Sequence, residues 1–210
     1  QRLSIPNFLR GTGWSSAADP LEVTGAPQLV SVISFGHADD CSLAVRLMDA
    51  WRTVLSLSNM PESIDASLAG PLGASVPQSL FGLTGHIAGH ARLSGGGAAM
   101  VQVSDCGASH LRQLHVVGKG GRLVVDDVNY QLFDVQGNVT DQSTEIDAKP
   151  RRFIDLVVED WQQSIRLPKA ATPLELEVEQ SALACCLASL LSARTGEPES
   201  PAKLIEMQKV

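Results

Sequence analysis

The chain has 210 residues, 44% of them hydrophobic and 19% charged, with a formal net charge of −7 at pH 7. That length is enough to bury a core, and the apolar-to-charged balance is that of a globular protein. The acidic balance argues against an electrostatic grip on nucleic acid or an anionic membrane surface, and no uninterrupted apolar run reaches the roughly 18 residues of a membrane span.

The first residues, QRLSIPNFLRG, contain neither the apolar core of a signal peptide nor an initiator Met, so the chain is expected to be processed or cut from something longer. Residues 1–28 read as an irregular lead segment, broken by Pro6, Gly11, Gly13, Pro20, Gly25 and Pro27. Gly11-Thr12-Gly13 does not make a dinucleotide loop, because Ser16 replaces the third Gly and no strand precedes it.

Leu29–Phe35 alternates and is rich in β-branched residues, which predicts a strand. A break at Gly36–Asp40 leads into a predicted helix over Ser42–Leu57, with Leu43, Leu47, Ala50, Val54 and Leu57 at helical spacing and Asp39, Asp40 or Ser42 available as its cap. This strand–loop–helix unit gathers His37, Asp39, Asp40, Cys41, Arg46 and Asp49. Two readings stay open: a site at a strand end, or capping aspartates with Arg46 and Asp49 as a solvated ion pair.

Short strands are predicted next: Ser63–Ala69; Leu80–Leu93 after a Gly/Pro-rich loop over Gly70–Ser79; Ala98–Ser104; and, after a turn at Asp105–Ser109, a meander from His110 onward. Within the meander Gly118-Lys119-Gly120-Gly121 suits a tight reversal, and Tyr130–Val135 ends at Gln136-Gly137-Asn138. His86 and His90 would share a strand face about 13 Å apart, too far to chelate one ion, and His110 and His115 differ by an odd number. No metal site is predicted. Cys41, Cys106, Cys185 and Cys186 lack zinc-knuckle spacing, and they read as small buried side chains in a reducing compartment, hence a cytoplasmic protein.

Thr140–Lys149 is polar, and Pro150 opens a helical stripe over Phe153, Ile154, Val157, Val158, Trp161 and Ile165. A long helix is predicted over Leu174–Arg194, stopped by Gly196, and a short one over Ala202–Gln208. Strands and helices are segregated, so the expected class is α+β: a large open, mostly antiparallel sheet with helices packed on one face, forming one domain over residues 29–210.

The run HLRQLHVVGKGGRLVVDDVNYQLFDVQGN resembles the C-terminal domain of the Gfo/Idh/MocA oxidoreductases. Arg152–Ser164 followed by Leu174–Gly196 is similar to that family's paired closing helices, with ACCLASLLSARTG close to their usual ending, and Gly25–Val30 resembles the entry to its first C-domain strand. The resemblance implies a substrate wall and a sheet used for assembly, with a sugar or polyol-like small molecule and further copies of the chain as partners.

In that family a separate N-terminal Rossmann domain binds NAD(P), and its Glu-Lys-Pro motif supplies a catalytic lysine. Neither that motif nor a Gly-rich strand–turn–helix occurs here. No cofactor is therefore expected on this chain, while NAD(P) is expected for a full-length parent. The family also carries an Asp-x-x-x-His element, followed by a further Asp, at the start of the helix after the first strand. Ser42 stands at the first Asp and Arg46 at the His, while Asp49 is kept. The resemblance thus implies no catalytic residue in this chain, and the set His37, Asp40, Arg46 and Asp49 of the strand–loop–helix unit is expected to bind substrate. The alternative is a catalytically silent binding or scaffold protein that self-associates through its sheet. No nucleophile–base motif supports a self-sufficient enzyme built on His37, Asp40 and Cys41.

Overall fold

A computed structural model describes residues 8–70, 76–143 and 173–207, together with Asp155, Val158 and Gln162. The lead segment is more ordered than its prolines and glycines suggested. A 3-10 turn at Phe8–Arg10 precedes two short helices, α1 (Thr12–Ser16) and α2 (Ala18–Thr24). Pro20 is tolerated because it lies in the first turn of α2, where backbone N–H groups have no intrahelical acceptor to lose.

The strands are β1 (Leu29–His37), β2 (Ser63–Ala69), β3 (His86–Arg92), β4 (Ala98–Ser104), β5 (Cys106–Gly118), β6 (Gly121–Asp126), β7 (Tyr130–Phe133) and β8 (Val139–Gln142). The helices after the lead are α3 (Leu43–Leu57), α4 (Pro173–Thr195) and α5 (Pro201–Met207). Three expectations change. The strand predicted over Leu80–Leu93 begins only at His86; Leu80–Gly82 is a 3-10 turn, and Gly85 at φ 107° breaks the extended run. The turn predicted at Asp105–Ser109 is instead the start of β5, where a register shift against β1 takes up the extra residues. Part of the polar tail after Asn138 adds the edge strand β8. The stripe from Phe153 to Ile165 falls largely outside the described residues.

The eight strands form one sheet in the order β2-β3-β4-β1-β5-β6-β7-β8. Only the β1–β4 pair is parallel, because β1 reaches β2 at the far edge through α3 and the chain then returns strand by strand. The α+β expectation holds. Alternation sets the faces: Val30, Val32, Val101, Val103, Leu114 and Val116 turn inward under the helices, while Leu29, Ser31, Ile33 and Phe35 of β1 turn to the opposite, open face.

By length and apolar composition, Leu176–Thr195 could cross a membrane, but it is a core helix: Ala182, Cys185, Cys186, Ala188 and Leu190 are buried against the sheet and α3. Small residues on α4 allow this close approach, and two polar contacts fix it. The indole N–H of Trp51 donates to Ser189 Oγ at 3.1 Å, and Ser192 Oγ accepts the Ala66 N–H at 2.9 Å. Arg52 and Glu179 form a further ion pair between α3 and α4.

Candidate functional site

The carboxy end of β1, the amino end of α3 and the first residues of β5 meet at one end of the sheet. Ser42 is the N-cap of α3, its Oγ accepting the Val45 N–H at 3.4 Å. Its hydroxyl therefore satisfies a free helix-end donor.

One turn further on, Arg46 is fully buried. Nη1 donates to the Phe35 carbonyl at 3.2 Å and Nη2 to the His37 carbonyl at 3.3 Å, so the guanidinium ties the last turn of β1 to α3. The His37 carbonyl also accepts the N–H groups of Asp40 (3.1 Å) and Cys41 (3.3 Å), closing the loop between strand and helix. Burial lowers the Arg46 pKa, with the nearby Cys41 and Asp40 opposing.

A second charged assembly begins at Asp49, also buried. Asp49 Oδ2 accepts Arg112 Nη1 at 2.9 Å, and its Oδ1 accepts the Phe8 N–H at 3.1 Å. Arg112 continues to Asp127 Oδ1, through Nε at 2.8 Å and Nη2 at 2.6 Å, and lies over the Phe8 ring at 5.3 Å. Asp127 Oδ2 is 2.9 Å from His110 Nε2. Helix α3, strand β5, the β6–β7 turn and the lead segment are thus joined by one charge chain inside the fold. Burial alone would lower the Arg112 pKa, but the two carboxylates raise it; burial would raise that of Asp127, but the His110 hydrogen bond and the Arg112 charge hold it below the usual carboxylate range.

Of the four residues expected to bind substrate, Arg46 and Asp49 turn inward and have separate partners. The solvated ion pair between them is ruled out: the helical spacing that suggested it also carries both onto the buried side of α3. His37 and Asp40 remain exposed at the strand end. The His37 imidazole is 58% exposed, with Nδ1 accepting the Asp39 N–H at 3.3 Å. The reading from sequence missed Arg112, Asp127 and His110. One signal was available, since Arg112 is in phase with the inward-facing Leu114 and Val116.

The cysteines carry no disulfide, and Cys41, Cys185 and Cys186 are buried, as expected, while Cys106 is exposed. Burial pushes the Cys41 thiol up to about 12, so it is a neutral thiol rather than a nucleophile. His86 and His90 point from the exposed face of β3, and among the described residues no group of three or more His, Cys, Asp or Glu side chains could hold a metal ion.

A nicotinamide dinucleotide does not fit Gly11-Thr12-Gly13. A Cβ at Gly13 would lie 2.9 Å from the Asn129 N, and the Gly13 N–H is given to the Asp127 carbonyl at 3.4 Å. These glycines let α1 lie on the β6–β7 turn and leave no phosphate cradle.

No protein-family model and no curated protein matches the sequence. Solved structures do match. Levoglucosan dehydrogenase in complex with NADH and L-sorbose aligns at TM-score 0.68 and 12% identity, over 93% of this chain and 64% of its own. An oxidoreductase from Agrobacterium radiobacter, in complex with NAD+, L-tartaric acid and magnesium, aligns at TM-score 0.66 and 12% identity, over 95% and 64%. UDP-N-acetylglucosamine 3-dehydrogenase from Acidithiobacillus ferrooxidans aligns at TM-score 0.60 and 13% identity, over 89% and 59%. The chain spans less than two thirds of the length of these neighbours. Their identities are low enough that the likeness is one of fold, and at that level it bears out the resemblance seen in the sequence: this chain has the fold of a part of the Gfo/Idh/MocA-type oxidoreductases.

Proposed function

We propose that this chain is the substrate-binding and self-association domain of an NAD(P)-dependent sugar or polyol oxidoreductase whose cofactor domain lies outside this chain. The observation that carries the reading is the fold shared over 93% of this chain with 64% of an NADH-bound levoglucosan dehydrogenase. In this reading the end of the sheet around His37 and Asp40 faces the substrate, while Arg46, Asp49, Arg112 and Asp127 keep the backbone beneath it rigid. Hydride transfer needs a bound nicotinamide and a proton acceptor within hydrogen-bond reach of the substrate hydroxyl. This chain would supply the wall and the polar contacts. Its open sheet face would pair copies of the protein, and its free thiols suit a cytoplasmic setting.

A second reading is favoured by Ser42 and Arg46. One is an N-cap and the other a buried tie between carbonyls, so neither offers a proton acceptor, as expected of a catalytically silent binding or scaffold protein. Calorimetry with NAD+ and NADP+ on this chain and on its full-length parent separates the two. The oxidoreductase reading expects no binding to the chain alone and clear binding to the parent. Micromolar binding to the chain alone would overturn the domain assignment. A coding sequence starting just before Gln1 would leave only the scaffold reading.

A further inference from the structure

We propose that His115, near the middle of the open sheet face, makes the pairing of two copies through that face dissociate on acidification. The inference rests on the self-association part of the proposed function and adds its regulation.

The face is suited to a second copy. Its centre is a band of half-buried apolar side chains that includes Leu29, Ile33, Phe35, Met100, Val117 and Val124. The helices pack on the opposite side, so among the described elements none covers this band. Eight strands at about 4.8 Å spacing, each about seven residues long, present roughly 900 Å² of sheet, close to the ~800 Å² per partner of a stable interface. Charge points the same way. The chain as a whole carries −7, yet the charged residues at the described open-face positions balance: Asp65 and Arg92 on β2 and β3 near one edge, and Asp126 and Arg122 on β6 toward the other. The face is formally neutral, so two copies meet there without the like-charge repulsion that the rest of the surface imposes.

His115 lies on β5, directly opposite Ser31 of β1 and Val124 of β6. Its Nε2 is sealed from water and has no hydrogen-bond partner among the described residues. The groups facing it offer no compensation for a second proton. On β1 the neighbours are Leu29, Ser31 and Ile33, and on β5 they are Gln113 and Val117, none of them titratable. From β6 come Arg122, a cation, and Asp126, whose Oδ1 already accepts the N–H groups of Val128 (2.8 Å) and Asn129 (2.7 Å). Arg122 itself lies over the Phe133 ring at 4.3 Å. Burial, reinforced by Arg122, lowers the His115 pKa from its ordinary value of 6.5.

In a single chain the half-buried ring can rotate toward water when it gains a proton. Under a second copy that escape is closed, and an imidazolium would be left beside Arg122 in an apolar interface. Pairing therefore favours the neutral ring. The sign follows: the free chain binds more protons than the paired one, so association is complete above the range where His115 titrates and weakens as pH falls through it. A dimer holds two such rings, and each proton taken up on dissociation changes the constant by up to about tenfold per pH unit.

The test is analytical ultracentrifugation of the 210-residue chain at pH 7.5 and pH 5.0, on wild type, His115→Gln, His115→Leu, the double variant His86→Gln/His90→Gln and Phe35→Glu. Near-UV circular dichroism at both pH values checks that each variant is folded. The expected result is a wild-type dimer at pH 7.5 whose dissociation constant rises on the order of tenfold or more at pH 5.0. The response should be lost in at least one folded His115 variant and kept in the His86/His90 variant, and Phe35→Glu should be monomeric at both pH values. A dimer indifferent to pH, or an acid response unchanged in the His115 variants, overturns the role of His115 while the face reading stands. A monomeric wild type at both pH values, or a Phe35→Glu variant that still pairs like wild type, overturns both.

Discussion

The guanidinium of Arg46 occupies the space that a side chain at residue 36 would need. A Cβ added to Gly36 would lie 2.7 Å from Arg46 Cζ, and the three atoms nearest to it all belong to that guanidinium. Gly36 has an ordinary backbone conformation, so the glycine is required by this contact rather than by a turn. Gly36→Ala should therefore cost about 1–3 kcal/mol through overpacking. The same substitution in an Arg46→Ala background should cost much less, since the opposing group is gone. Urea denaturation of the four members of this cycle measures the coupling; additive costs would show that Gly36 has another reason.

The buried chain from Asp49 through Arg112 to Asp127 predicts a large effect from its central cation. Arg112→Met leaves two carboxylates buried without their shared partner, and breaking a buried pair in this way costs about 3–5 kcal/mol. The network should also give an acid limb. Asp127 titrates below its ordinary value of 3.8 in the folded protein, so its contribution is present above that value and is lost as pH falls through the folded one. Melting temperature followed from pH 7 to pH 2.5 should drop in wild type. In Asp127→Asn it should start lower and fall less steeply, and parallel curves would show that the acid loss arises elsewhere.

Alternation and turn residues made the sheet legible. The inward phase of Val30 and Val32, the apolar runs around Leu123 and Leu132, and the reversal at Gly118–Gly121 all recur in the fold. The polar interior was less legible, because a charged residue on a helix is ordinarily assigned to water. Arg46 and Asp49 are buried only because other groups meet them there: two strand-end carbonyls for one, a strand arginine and the Phe8 N–H for the other. Those partners lie up to 63 residues away in sequence, and no local periodicity announces them. Asp127 was hidden in the same way: it follows Asp126 at the β6–β7 turn, where only Asp126 uses its side chain to build the turn.

Thiol reactivity offers a direct reading of the core. Cys41, Cys185 and Cys186 are buried, the first two pushed up to about 12 by burial and the third well above its ordinary value. Cys106 is exposed, and its thiol donates to Asp105 Oδ1 at 3.4 Å. A disulfide reagent at pH 7.5 should modify one thiol per folded chain, slowly, since partial desolvation and Asp105 also raise the Cys106 pKa. Unfolding in denaturant should expose all four. A second reactive thiol in the native protein would contradict the burial of Cys41 or the packing of α4.

The docking of α4 itself should depend on its serines more than on any one apolar residue. The helix is apolar on several sides, with Leu183 41% exposed while Ala182 and Cys185 are fully buried, so burial alone does not fix its rotation about its axis. Ser189 and Ser192 do so, one receiving the Trp51 indole N–H and the other the Ala66 backbone N–H. Each leaves a buried donor unsatisfied if removed, which costs about 1–3 kcal/mol. Ser189→Ala should therefore lower stability by that amount in wild type and by clearly less in a Trp51→Phe background, where the donor is absent. Ser192→Ala should be insensitive to the Trp51 change. Chemical denaturation of the single and double variants decides the matter: an equal cost for Ser189→Ala in both backgrounds would mean that the helix is seated by shape alone.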